Sequence, residues 1–264
     1  MVVTSKDNQW VKEWRGLCDS AKKRRESGLF AIEGARLCGD ALRSGVSIRA
    51  VLYTAAALAI YTDVVGPLIA AADTAVEISP ELSRHMGDTT NPQGVFCIAK
   101  TLDNSLIIDK INIIGIYSAL EDIQDPGNLG TIIRTAEALG LSGLILSDGC
   151  CDVYNPKVLR SSMGGVFRMP LMRVGNMPDA VTALQERGLT AYACVVDADA
   201  TRITDVAMGS GSAAGIGNEG NGLKPETVAV CRHAVTIPMD GHAESLNASM
   251  AAGIILWEMT HPRN

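Results

Sequence analysis

The sequence predicts an α/β protein with a parallel sheet covered by helices on both faces. In the second half, runs of strand length alternate with helical patterns in βαβα order. The bulk comes from Ala, Gly, Val, Leu and Ile, with only 4% aromatic residues in 264, a composition suited to packed βα layers. Glycines also stand where helices should stop, as at Gly140 and Gly188.

Element by element, residues 113–120 read as a strand and 128–139 as a helix with apolar residues at 129, 132, 133, 136 and 139. Strands follow at 141–147, 189–197, 213–216 and 235–239, with an extended stretch at 165–171. Helices are predicted at 156–163, 179–187 and 245–260. The first hundred residues alternate as well. Strands or extended segments are expected at 30–33, 49–53, 76–78 and 95–99, and helices at 35–44, 64–72 and 80–86. Residues 100–110, containing Asp103-Asn104-Ser105, read as a linker, dividing the chain into domains 1–104 and 105–264.

At 47% hydrophobic residues the chain can fill a core, which excludes disorder as its main state. The longest apolar candidates, residues 50–62 and 248–257, fall short of the ~18–20 needed to cross a bilayer. Residues 1–30 carry charges throughout and lack a secretory h-region. The expectation is a soluble, cytoplasmic protein without membrane contact. Seven cysteines form an odd set with no CxxC and no Cys/His ligand spacing, so reduced thiols are expected and no metal site. Cys150 and Cys151 read as small apolar residues near a strand end rather than a redox pair.

The net charge of −6 is unevenly spread: residues 1–105 hold 12 basic and 12 acidic side chains, and the rest 11 and 17. Within the neutral part, Lys12, Arg15, Lys22, Lys23, Arg24 and Arg25 cluster. Such a run can grip a phosphate backbone. It can equally be the solvated face of a helix that buries Trp10, Trp14, Leu17 and Ala21.

Three loops after predicted strands could carry chemistry. In the first, Pro126 and Gly127 turn the chain, Asn128 is a candidate N-cap, and Arg134 lies six residues on, flanking the apolar stripe. The second is glycine-rich, with Gly209-Ser210-Gly211 followed by Gly217, Glu219, Gly220 and Gly222. It lacks GxGxxG and GK[ST] spacing but offers exposed backbone groups to a flat ligand. The third, residues 237–249, opens a helix with Ser245 and Asn247 expected in its first turn. Each alone is also explained by ordinary capping or turns. Asp197 and Asp199 read as solvated, and no hydrolase triad is evident.

Together, the stretches EDIQDPGNLGTIIRTAEALG, NPKVLRSSMGGVFRMP, GIGNEGNGL and IPMDGHAESLNASMAAGIILWE, in this order over roughly residues 113–260, resemble the SpoU (TrmH-type) family of RNA ribose 2′-O-methyltransferases in the SPOUT superfamily. The first hundred residues, through GLFAIEGARLCGDAL, look like the substrate-binding domain of larger members.

The resemblance implies a C-terminal domain tied in a trefoil knot, an exception to unknotted topology. It also implies bent S-adenosylmethionine held by Gly217, Glu219, Gly220, Ile237, Met239, Ser245, Leu246 and Asn247. Arg134 matches the family's catalytic arginine. A guanidinium with a pKa above ~12 is a poor base, so orientation of the 2′-hydroxyl and oxyanion stabilisation are the expected roles. Asn128, Ser245, Asn247 and Glu219 complete the implied catalytic set, and the chemistry needs no metal. RNA, ribosomal before transfer RNA, would meet Arg15, Lys22, Lys23, Arg24, Arg25, Arg36, Arg160 and Arg168. A homodimer through the knotted domain is also implied, leaving Ile132, Ile133, Met250, Ile254 and Trp257 to divide between core and interface. The alternative is a non-catalytic RNA-binding or ribosome-assembly factor that retains the fold.

Overall fold

The computed structural model describes residues 2–87, 91–102 and 107–262. The expected boundary at residues 104 and 105 lies outside them. The chain divides into two units, Met1–Asp103 with Tyr154–Phe167, and Asn104–Val153 with Arg168–Asn264.

The first unit opens with α1 (Gln9–Asp19), whose N-cap Asn8 accepts the amide of Trp10 and whose buried stripe is Val11, Trp14 and Leu17. The stripe does not continue to Ala21. Ser20 leaves helical geometry and its side chain caps α2 (Ala21–Ser27) through the Lys23 amide, so the basic run is split across two helices. After α2 come β1 (Leu29–Glu33), α3 (Ala35–Arg43), β2 (Ile48–Tyr53), α4 (Ala55–Ile60), α5 (Thr62–Ala71), β3 (Thr74–Glu77), α6 (Pro80–Met86) and β4 (Val95–Lys100). Helix α4 is unforeseen; Thr54 starts it by capping the Ala57 amide. The sheet runs β1-β4-β2-β3, with β4 antiparallel to β1 and β2, and β2 parallel to β3. Trp14 packs edge-on against Phe96, ring centroids 5.0 Å apart, within a core that includes Leu52, Ile78 and Ile98.

The second unit contributes β5 (Ile116–Leu120), α7 (Pro126–Ala138) and β6 (Gly143–Ser147). The next helix, α8 (Pro156–Ser162), falls in the first unit, where Phe30 of β1 meets Tyr154 at 4.5 Å and Phe167 at 6.1 Å. Residues 165–167, expected to be extended, form a turn of 3-10 helix, and the strand starts later, as β7 (Leu171–Val174). Then follow α9 (Met177–Glu186), β8 (Thr190–Cys194), β9 (Thr201–Arg202), β10 (Ser212–Ile216), α10 (Pro225–Val230), β11 (His233–Thr236) and α11 (Ala248–Thr260).

All seven strands of this sheet are parallel, in the order β7-β6-β5-β10-β8-β11-β9. β6 and β10 are buried at every residue, as strands covered on both faces must be. One face packs on α9 through Met177, Val181 and Leu184. On α7, Ile132 and Ile133 are fully buried and belong to the core, whereas Met250, Ile254 and Trp257 of α11 are 62%, 38% and 54% exposed. No helix among the described residues is long and apolar enough to cross a membrane.

Parallel strands put every carboxyl end on one edge. There β5 and β10, neighbours in space but far apart in sequence, deliver residues 121–128 and 217–224 side by side. Gly209-Ser210-Gly211 precedes β10 and so lies at the other edge, away from the glycines that follow the strand.

Candidate active site

Helix α7 begins two residues earlier than expected. Pro126 takes the first helical position, where a missing N–H costs nothing, and Asp125 is the N-cap, its Oδ1 accepting the amide of Asn128 at 2.8 Å. Asn128 is therefore not the cap. It sits inside the first turn, only 9% exposed, and its amide bridges two other loops. Nδ2 donates to Glu219 Oε1 at 3.0 Å, and Oδ1 accepts from Asn247 Nδ2 at 3.0 Å.

Asn247 in turn caps α11: its Oδ1 accepts the amides of Ser249 and Met250 and, at 2.7 Å, the Ser249 hydroxyl. Helix α11 thus starts at Ala248, and Ser245, expected in its first turn, precedes it. Glu219 also accepts the backbone amides of Gln124 and Asp125 at 3.3 and 3.2 Å. Partial burial pushes the Glu219 carboxyl upward. The hydrogen bonds from Asn128 and these amides outweigh that and hold it below the usual range. Its oxygens are occupied, so Glu219 acts by tying the loop after β10 to the loop after β5.

The glycine loop is a closed hairpin. Asn218 and Gly222 exchange backbone hydrogen bonds at 3.0 and 2.9 Å, and Asn218 Oδ1 accepts the amides of Gly220 and Asn221. A Cβ on Gly217 would lie 2.0 Å from the Gly222 carbonyl carbon, so only glycine lets the hairpin close.

A cavity of about 430 Å³ opens against this hairpin, within the ~300–1,000 Å³ range of ligand sites. Of the predicted cofactor residues, Gly217, Glu219, Gly220, Ile237, Met239, Ser245 and Leu246 line it; Asn247 does not, and bonds instead to Asn128. The wall from the end of β8, Cys194, Val195 and Val196, was missed, as was Glu244. No motif marks the first three; only the sheet order brings β8 beside β10. Burial pushes the Cys194 thiol up to about 12, which makes it an apolar wall rather than a nucleophile. Cys150 and Cys151 are likewise raised by burial, Cys151 to about 12. Among the described residues no group of three His, Cys, Asp or Glu could hold a metal.

Arg134 is exposed on α7 and makes no hydrogen bond or ion pair among the described residues. It lies about 9 Å of helix rise beyond Asn128. Helical side chains lean toward the N-terminus, so from this exposed position Arg134 is directed back toward the start of α7.

The basic residues separate by environment. Arg15, Lys22, Arg25 and Arg36 are exposed; Arg15 contacts His85, and Lys22 pairs with Glu26 at 3.7 Å. Arg24 is a correction. It is 3% exposed and donates to the carbonyls of Leu17 and Cys18 at 2.6 and 3.1 Å, closing the end of α1 rather than facing a phosphate. Arg168 is held by Glu137 at 2.7 Å, and Arg160 lies half-buried on α8.

Known proteins give this geometry a context. Residues 115–257 match the SpoU rRNA Methylase family, and residues 8–97 match the MRM3-like substrate binding domain. The chain is 30% identical to the 23S rRNA (guanosine(2553)-2′-O)-methyltransferase RlmP of Bacillus subtilis, over 97% of this chain and 98% of that protein. It is 31% identical to the 23S rRNA (uridine(2479)-2′-O)-methyltransferase of Streptomyces viridochromogenes, over 99% and 92%. Among solved structures, the AdoMet-bound rRNA methyltransferase of Sinorhizobium meliloti superimposes with a TM-score of 0.86 at 31% identity, covering 98% of this chain and 96% of that one. The SpoU methyltransferase AviRb of S. viridochromogenes, in complex with AdoMet, gives 0.84 at 29%, covering 96% and 97%.

Proposed function

The chain belongs to the SpoU rRNA methylase family, and on that premise we propose that it methylates a ribose 2′-hydroxyl of ribosomal RNA using S-adenosylmethionine. The observation that carries this reading is the bonded chain Glu219–Asn128–Asn247, which joins three loops beside the cavity while Arg134 keeps its donors free among the described residues. The cavity fits the cofactor. Backbone groups of Gly217 and Gly220 can meet a flat base, Ile237 and Leu246 offer apolar contact, and Glu244 and Ser245 offer polar partners to an amino-acid tail.

Bound S-adenosylmethionine supplies a methyl group on a sulfonium that departs as a neutral thioether, so no metal is needed to stabilise a leaving group. The protein's task is alignment and charge. Arg134 orients the ribose hydroxyl or its neighbouring phosphate and stabilises the oxygen as it attacks the methyl carbon, the carbon–sulfur bond breaking and the hydroxyl proton passing to solvent water. Asn128 and Asn247 keep the start of α7 fixed against the cofactor loop, and Ser245 lines the entrance.

The stripe Met250, Ile254 and Trp257 on α11 is the face for a second copy of the chain, because spacings of four and three residues align these exposed apolar side chains. The C-terminal domain carries the family's trefoil knot, and residues 1–104 form the RNA-binding domain, with Arg15, Lys22, Lys23, Arg25 and Arg36 meeting phosphates. Seven free cysteines suit a reducing cytoplasm.

The test is methyl transfer from labelled S-adenosylmethionine into separated rRNA and tRNA fractions, with ribose-methylation mapping. We expect incorporation at a 2′-oxygen of rRNA and a loss of about 10²–10⁴ in rate for Arg134→Ala. Incorporation into tRNA alone would move the substrate. Cofactor binding without transfer into any RNA, including assembly intermediates, would favour a non-catalytic binding factor.

A further inference from the structure

The two residues that follow β5, Glu121 and Asp122, take no part in the cavity wall, yet contacts at both ends of the glycine hairpin lead to them. Glu121 is 2% exposed. Its backbone amide extends the pairing of β5 with β10 by donating to the carbonyl of Ile216 at 2.9 Å. Its two carboxylate oxygens are divided between neighbours beyond the hairpin: Oε2 accepts the Lys224 amide at 2.9 Å and Oε1 the Thr227 hydroxyl at 2.8 Å. A buried carboxylate needs such partners.

Asp122 has a φ of 55°, the left-handed region that only Gly, Asn and Asp enter readily. That turn points its carbonyl at the start of the hairpin, where Asn218 Nδ2 donates to it at 2.8 Å. Its carboxylate faces the other way. Oδ1 accepts the Ser147 hydroxyl at 2.7 Å, and Oδ2 pairs with Lys224 Nζ at 2.7 Å. Gly149 leaves room for it, since a Cβ there would fall 2.1 Å from Oδ1.

We propose that Glu121 and Asp122 are positioning residues that clamp both ends of the hairpin 217–223, through Asn218 at one end and Lys224 and Thr227 at the other, and so preform the cofactor side of the cavity. Glu219 reaches back from the hairpin to the amides of Gln124 and Asp125, which makes the tie between the loops reciprocal. The consequence for the cofactor rests on the reading of this cavity as the S-adenosylmethionine site; the clamp itself does not.

The experiment uses the full chain and two readouts. Hydrogen exchange of the cofactor-free protein follows the amides of Gly220, Asn221 and Gly222, and calorimetry measures S-adenosylmethionine affinity. Asp122→Gly keeps the backbone turn and deletes both carboxylate contacts. Lys224→Ala deletes the ion pair at an exposed site, and Lys224→Arg restores it. Glu121→Gln replaces an acceptor with a donor opposite two donors.

We expect faster hairpin exchange in Asp122→Gly, Lys224→Ala and Glu121→Gln, with β5 and β10 amides unchanged. Affinity should weaken about tenfold or more in Glu121→Gln and about two- to fivefold in Lys224→Ala, with recovery in Lys224→Arg. Hairpin exchange identical to wild type in Asp122→Gly and Lys224→Ala overturns the clamp, whether or not the buried variant folds. If wild type binds no S-adenosylmethionine while hairpin exchange responds as described, the cofactor reading falls and the clamp stands.

Discussion

The side-chain amide of Asn247 donates to the side-chain carbonyl of Asn128 across 3.0 Å, linking the cap of the last helix to the first turn of α7, 119 residues earlier in the chain. Asn247 thereby has two separable duties, since its own carbonyl oxygen caps α11. Asn247→Asp keeps a good capping acceptor but loses the donor to Asn128. It should hold its melting temperature while kcat falls at least tenfold. Asn247→Ala loses both, and should also lose about 1 kcal/mol of stability. Equal kcat in Asn247→Asp and wild type would show that the bridge is dispensable.

Gly217 and Gly222 sit at the two ends of one hairpin but demand glycine for different reasons. A Cβ on Gly217 strikes backbone at 2.0 Å, whereas at Gly222 nothing lies within 4 Å and the only cost is its φ of +67°. Gly217→Ala should therefore open the hairpin and weaken S-adenosylmethionine binding more than tenfold. Gly222→Ala should cost about 1 kcal/mol with affinity nearly kept. Calorimetry on the two variants decides it, and a reversed ranking would rule out the close approach as the reason for Gly217.

The elements around the site were legible because their signals are local. Apolar periodicity marks α7, and glycine marks the turn that follows it at Gly140, whose φ is +74°. The capping assignment of Asn128 failed because Asp125-Pro126 is the stronger start signal, with a proline at the first helical position. The role of Asn128 became visible only when β10 was seen beside β5, a pairing of strands about a hundred residues apart. Likewise, Arg24 looks like its basic neighbours in sequence; the break at Ser20 folds it under the end of α1. Glu121 carried a usable hint, an acid directly after a strand whose last four residues are buried, but its partners lie over a hundred residues away.

Acid should loosen the site from a defined group. Despite the upward push of burial, the hydrogen bonds from Asn128 and the Gln124 and Asp125 amides lower the Glu219 carboxyl from its ordinary 4.5. A native pKa below the unfolded one means that the unfolded chain binds more protons in this range. The stabilisation is therefore complete above about pH 4.5 and lost as pH falls through the lowered native value. Thermal melts of wild type and Glu219→Gln between pH 3 and 6 should converge as pH drops, since the variant has no such carboxylate to protonate. Parallel curves would remove Glu219 from the acid response.

Arg24 and Arg25 are adjacent and should behave oppositely. Arg24→Ala leaves the carbonyls of Leu17 and Cys18 without their buried donor, which costs about 1–3 kcal/mol. Arg25→Ala, at an exposed position, should leave stability within about 0.5 kcal/mol. It should also reduce the salt dependence of rRNA binding by about one phosphate contact. Melting curves and binding across a salt series separate the two effects; an unchanged salt slope in Arg25→Ala would take α2 out of the RNA interface.

The exposed stripe on α11 yields the last prediction. Trp257 is 54% exposed and stacks on His261 with ring centroids 3.9 Å apart, and Met250 and Ile254 continue the apolar line. Buried in a dimer, each large apolar side chain would contribute about 1.5–3 kcal/mol, enough for one charge in the stripe to matter. Trp257 points away from the core made by Ala252, Ile255, Leu256 and Met259 on the same helix. A change there should therefore act on association before folding. Ile254→Asp and Trp257→Arg should shift the chain from dimer to monomer in analytical ultracentrifugation, with near-UV circular dichroism otherwise that of a folded protein. Wild type sedimenting as a monomer at micromolar concentration would leave this face to another partner.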